Sequence, residues 1–141
     1  MMDKETRDQN IRTVVLKHYP AMQAVYLFGS MATGEEGPDS DADIGLLLPI
    51  AEAKERGALL FSPCAFELAD QLGRDVDLLN LRQVSTVMQH QVVSYGKLLH
   101  VGDEYAKDEF EMLTLSFYQK LNEERAGILE DFYRTKRAYP V

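Results

Sequence analysis

Two short apolar runs, joined by a turn-rich acidic stretch, constrain this chain more than any other feature. The first, Ala24 to Phe28, stops at Gly29-Ser30. The second, Ile44 to Leu48, starts directly after Asp41-Ala42-Asp43. Each run has the length of a buried strand, and Gly34 and Gly37-Pro38 break the chain between them. Two strands joined in this way place a small-residue turn beside a pair of carboxylates.

The pair carries the chemistry. In a strand, residues i and i+2 face the same side, roughly 6.5–7 Å apart. Asp41 and Asp43 can therefore flank one metal site, or bridge two ions roughly 3.5–4 Å apart. Magnesium takes hard oxygen ligands of this type and leaves room for water and substrate phosphate. The surroundings are acidic as well. Glu35, Glu36, Asp39, Asp41 and Asp43 occur with no basic residue among them, and a bound cation relieves that repulsion. Gly29 follows a strand where the chain must turn and where a Cβ would obstruct a ligand approaching the backbone. Ser30 offers a hydroxyl and an N–H, and Met31-Ala32-Thr33 predicts a short helical turn with N–H groups free for an anion. Taken singly, a Gly-Ser is a turn and an Asp-x-Asp is a solvated loop. Together they point to chemistry on a nucleoside triphosphate.

A third acid lies downstream, in the strand predicted from Asp75 to Leu81. Asp77 stands there among Val76, Leu78, Leu79 and Leu81, where a carboxylate is costly to bury without a partner. Placed beside the first strand, it completes a three-carboxylate metal site. Two other outcomes stay open: an ion pair with Arg74 or Arg82, or exposure on an edge strand. Asp75 is the competing candidate within the segment.

Gly-Ser, ten intervening residues, Asp-x-Asp and a later strand Asp together resemble the signature of the DNA polymerase β-like nucleotidyltransferase superfamily. The resemblance implies that Gly29 and Ser30 bind the triphosphate. It implies that Asp41, Asp43 and Asp77 hold two Mg2+ ions, with Asp77 also helping to activate the attacking hydroxyl. The implied reaction is in-line attack on the α-phosphate of ATP, with pyrophosphate leaving. At 141 residues the chain is expected to be one domain, 1–141, with a catalytic core to about 101 and a helical extension over about 103–136. Larger relatives add an acceptor-binding domain for which there is little room. The chain is thus similar to the minimal nucleotidyltransferases encoded beside HEPN-domain proteins, the antitoxins of HepT–MntA type toxin–antitoxin pairs. That likeness implies transfer of AMP from ATP to a tyrosine of a HEPN ribonuclease toxin, within a hetero-oligomeric complex. Two readings from other classes stay open. One is a non-catalytic module acting by contact through its C-terminal helix. The other is an enzyme for a small aminoglycoside-like acceptor.

Composition narrows the partners. A net charge of −8 and pI of about 4.8 argue against direct nucleic-acid binding, which needs clustered Lys and Arg. They suit a basic protein partner. One cysteine, Cys64, cannot form an internal disulfide and is expected in the core. No signal peptide or long apolar span is evident, so the expectation is a soluble cytoplasmic protein with no membrane role. His18, His90 and His100 show no metal-ligand spacing. Lys54 and Arg56 are candidates for meeting the triphosphate, though charges so placed are more often a solvated helix face.

The remaining pattern predicts helices over 3–18, 51–60, 63–72 and around Val84, Val87, Met88 and Val92. It predicts strands over 22–28, 43–48, 75–81 and 97–101, and a long helix from Asp103 to about Lys136, bent near Gly127. Phe110, Leu113, Phe117 and Leu121 are expected to pack on the protein's own sheet. Ile128, Leu129, Phe132 and Tyr133 are expected to project beyond the core, toward a partner's helices or a second copy of this chain. The class is α/β (α+β), with a single mixed β-sheet flanked by helices.

Overall fold

The computed structural model describes residues 2–34, 37 and 40–135. Glu35, Glu36 and Asp39 of the acidic stretch, and Lys136 and Arg137 of the basic tail, lie outside the described residues. The element order is α1 (Lys4–His18), β1 (Ala24–Phe28), α2 (Ser30–Thr33), β2 (Ala42–Leu47), α3 (Ile50–Arg56), α4 (Pro63–Leu72), β3 (Val76–Asn80), α5 (Thr86–Tyr95), β4 (Lys97–Val101) and α6 (Glu104–Thr135), with a 3-10 turn over Leu81–Gln83. The four strands form one mixed sheet in the order β3-β2-β1-β4. β1 runs antiparallel to β2 and β4, and β2 runs parallel to β3.

The elements start and stop where local chemistry dictates. The Asp3 carboxylate accepts from the Thr6 N–H at 2.7 Å and caps α1. Ser62 caps α4 with Pro63 in its first turn, and Gly73, in the left-handed region, ends it. The helix expected over 51–60 is shorter, because Gly57 terminates α3 at a φ of 63°. Leu59 then turns into the core.

Alternation along the strands gives the sheet two different faces. On one, Val25, Leu27, Ile44, Leu46 and Leu78 pack with Ile11 and Val15 of α1 and Leu68 of α4. On the other, Tyr26 and Leu47 pack with Leu81, Val92 and Phe110 beneath α5 and α6. The Tyr26 hydroxyl donates to Glu111 Oε2 at 2.7 Å and fastens α6 to β1.

α6 continues through Gly127 as one uninterrupted helix. Its expected inward stripe is rotated. Phe110 and Thr114 are buried and Tyr118 is partly buried, while Leu113 and Phe117 are exposed. Inward positions therefore recur at i+4, following the row that the small second face can cover. Among the described residues no helix is long and apolar enough to cross a membrane.

Candidate active site

The turn after β1 and the acids of β2 and β3 meet at one end of the sheet. Antiparallel register sets Phe28 opposite Asp43, and parallel register sets Asp43 beside Asp77. Neighbouring strands lie about 4.8 Å apart, so these two carboxylates emerge side by side on the face covered by α5. In this register Asp77, not Asp75, stands beside Asp43: Asp75 precedes β3 and gives its carbonyl to the Ala42 N–H at 2.9 Å. Gly29 follows Phe28 at φ 71° and ψ −153°. A Cβ built on Gly29 would run into Asp43 Oδ2. Only glycine lets the turn lie directly against this carboxylate. α2 then starts at Ser30, and the Ala32 N–H donates to the Gly29 carbonyl at 3.2 Å.

Asp43 is partly buried, and its pKa is raised above the ordinary 3.8. Burial is the main cause, followed by the charges of Asp77 and Asp41. Asp41 lies one residue outside β2 and is exposed. Among the described residues no three Asp, Glu, His or Cys side chains draw close enough to close around an ion. The structure pairs Asp43 with Asp77 and leaves Asp41 acting on Asp43 through its charge. Among the described residues no cation neutralises the pair. Arg74 donates to the carbonyls of Ser40 (3.0 Å) and Gly37 (3.4 Å). Arg82 donates to the Leu48 carbonyl at 2.6 Å and to Gln23 Oε1 at 2.7 Å. Neither arginine serves Asp77. Hard oxygen donors in mutual repulsion, without a protein counter-ion, suit a divalent cation.

The carboxylates open onto a cleft of about 540 Å³. Phe28, Gly29, Ser30, Asp43, Asp77 and Leu79 form its sheet side, and Met88, Gln91 and Tyr95 of α5 form the opposite wall. Sequence reading missed this wall. Met88 was expected in a helix stripe with Val84, Val87 and Val92, yet only Val92 of that stripe is fully buried. The available signal was the spacing of Met88, Gln91 and Tyr95, which shares one helix side.

The cleft lining contains no Lys or Arg among the described residues. Lys54 and Arg56 sit on α3, which follows the far end of β2, roughly 20 Å from its start. Arg56 lies over the Tyr19 ring, 5.5 Å from its centroid. The histidines are placed elsewhere: His18 contacts Glu67 at 2.9 Å, His90 stacks on Tyr118, and His100 is in β4. Cys64 is buried, and burial pushes its thiol pKa up to about 12, as befits a core residue.

Residues 9–105, more than half of the chain, match the family model described as polymerase beta, nucleotidyltransferase. The chain belongs to this nucleotidyltransferase family. It is 35% identical over 128 residues to protein adenylyltransferase MntA of Shewanella oneidensis, covering 91% of this chain and 88% of that protein. Among solved structures it is similar to a chain in the crystal structure of a toxin–antitoxin with AMP-PNP. The TM-score is 0.69 at 35% identity, with 89% and 98% of the two chains covered. It is also similar to a chain in a complex of tri-AMPylated S. oneidensis HEPN toxin with MNT antitoxin. There the TM-score is 0.67 at 32% identity, with 93% and 99% covered. The cleft that joins Gly29 to Asp43 and Asp77 is thus part of a nucleotidyltransferase fold, and the matched region holds all five residues of the sequence signature.

Proposed function

We propose that this nucleotidyltransferase is an antitoxin that transfers AMP from ATP to a tyrosine hydroxyl of a HEPN-domain toxin and thereby silences it. The observation that carries the reading is the contact of the Gly29 turn with Asp43, with Asp77 in register beside it. The likeness to an adenylyltransferase and to a complex containing an AMPylated HEPN toxin supports it.

In this reading Gly29 and Ser30 hold the triphosphate, with the turn's backbone as the contact. Asp43 and Asp77 would hold Mg2+ between their carboxylates, and Asp41, exposed just before β2, would have to turn inward to complete a two-ion set. The chemistry those ions would supply is an offset of the charge on the transferred and leaving oxygens, worth several kcal/mol of barrier. Asp77 takes the proton of the acceptor hydroxyl. The tyrosyl oxygen attacks the α-phosphorus in line, the bond from that phosphorus to the β-phosphate oxygen breaks, and pyrophosphate leaves. Residues 1–101 act as the catalytic part. The long helix α6 (Glu104–Thr135) presents Ile128, Leu129, Phe132 and Tyr133, all exposed, to the toxin in a hetero-oligomeric complex. The reaction belongs in the cytoplasm, where ATP and a ribonuclease toxin meet.

The test is the intact mass of the HEPN partner encoded beside this chain, after incubation with this protein, ATP and magnesium. Whole AMP units are expected with the wild type. Asp41→Asn with Asp43→Asn is expected to slow transfer at least about a hundredfold, since each ~1.4 kcal/mol is tenfold in rate. Silencing without any added mass would mean that the protein acts by contact alone. Full transfer by the double variant would sink the site assignment.

A further inference from the structure

α5 divides its surface among three sides, and the third meets the rest of the protein chiefly where the Tyr95 ring stands edge-on to His90, centroids 6.4 Å apart. Val92 is fully buried against the sheet, with Val93 packed beside it. His90 stacks on Tyr118 of α6, ring centroids 3.6 Å apart and planes within 9°. The third side carries Met88, Gln91 and Tyr95, and all three line the cleft opposite the carboxylates. Met88 is 38% and Tyr95 67% exposed, so this side buries little of its apolar surface within the protein. The two glutamines of the helix differ in the same way. The Gln89 amide donates to the Leu81 carbonyl at 2.7 Å. The Gln91 side chain makes no such bond among the described residues and is exposed at the cleft.

We infer that Met88, Gln91 and Tyr95 form the nucleobase subsite and select adenine. The inference rests on the proposed ATP reaction, which puts the phosphates at Gly29-Ser30 on the sheet side. The nucleoside end of the same molecule then extends across the cleft to α5. A flat heterocycle with a polar edge fits a wall made of an aromatic ring, a thioether and one primary amide. The Tyr95 ring stacks on the base, and Met88 adapts its unbranched chain to the base's rim. The Gln91 amide, one donor beside one acceptor, matches the N6–H and N7 of adenine. The same edge of guanine offers two acceptors, so one of them would face the amide oxygen.

The test is calorimetric binding, with magnesium, of AMP-PNP, GMP-PNP and inorganic tripolyphosphate to the full chain. The wild type is expected to bind AMP-PNP at least about tenfold tighter than tripolyphosphate, the scale of one base–aromatic stack. Tyr95→Ala is expected to lose about tenfold toward AMP-PNP and nothing toward tripolyphosphate. Tyr95→Phe, which keeps the ring, is expected to retain wild-type binding. Gln91→Ala is expected to narrow the preference for AMP-PNP over GMP-PNP several-fold. Four results would overturn the inference: equal wild-type affinity for AMP-PNP and tripolyphosphate; unchanged AMP-PNP binding by Tyr95→Ala; loss of both ligands by that variant; or a Tyr95→Phe defect as large as that of Tyr95→Ala. A wild type that binds none of the three probes would instead contradict the underlying ATP reading, and this subsite with it.

Discussion

The two faces of the sheet are built from the same four strands and differ in how completely they are covered. The face under α1 and α4 is closed: Ile11, Val15, Ile44, Leu46 and Leu68 are all fully buried. The face under α5 and α6 is covered only in part. Tyr26, Leu47 and Val92 are buried there, while Asp43 and Asp77 open into the cleft at the strand ends. The closed face supplies hydrophobic burial and fixes strand register. The open face uses that register to hold two like charges together, an arrangement that costs stability in the absence of a cation. A small enzyme can bear a destabilised site because the opposite face secures the strands.

Four perturbations break or sharpen this contrast, and the first strikes where the faces meet the turn. Gly29→Ala forces Asp43 Oδ2 to move and strains a backbone at positive φ. Transfer is expected to fall by about a hundredfold or more, since a misplacement of this kind is costly in rate. Rates measured at saturating ATP check it. Leu68→Ala empties part of the closed face. It is expected to cost about 2–5 kcal/mol in denaturant unfolding, with the rate per folded molecule unchanged. Leu129→Ser with Phe132→Ser, on the exposed distal part of α6, is expected to weaken toxin binding about tenfold or more, on the scale of interface anchors. The melting temperature should stay close to that of the wild type.

The smallest effect has the opposite sign. The pKa of Asp43 in the fold is raised above its ordinary 3.8. Between those two values the folded state holds more protons than the unfolded state, so stability falls as pH rises through that window. The penalty persists at higher pH. Asp43→Asn removes it and is expected to raise the melting temperature by a few degrees at neutral pH without divalent ions. The advantage should vanish below pH 3.8. Magnesium should stabilise the wild type more than this variant.

Much of this was legible in the sequence because it depended on local signals. Strand alternation, Gly29, the Asp41-Ala42-Asp43 spacing and the Ser62-Pro63 cap each work within a few residues. They gave the mixed sheet, the element order and the turn and carboxylates that the fold brings to one end of the sheet. The pairing of Asp77 with Asp43, rather than Asp75 or an arginine, was a matter of register, which depends on how distant strands align. The destinations of Arg74 and Arg82, which donate to carbonyls in other segments, were hidden for the same reason. The α5 wall was missed because Met88 reads as a core residue until the packing leaves it uncovered. The rotated stripe of α6 has a similar origin: Thr114 is buried and Phe117 is not, contrary to their polarity, because the helix's orientation on β1 decides which row faces in.

The proposed reaction requires the carboxylates of the open face to form a cation-dependent nucleotide site. Its most direct test is a titration of the isotope-labelled protein with Mn2+ in the presence of AMP-PNP, followed by amide NMR. Paramagnetic broadening is expected first at Gly29, Ser30, Asp43 and Asp77, and it should disappear in the Asp43→Asn, Asp77→Asn variant while the rest of the spectrum stays intact. Broadening centred elsewhere, or unchanged in that variant, would contradict the account.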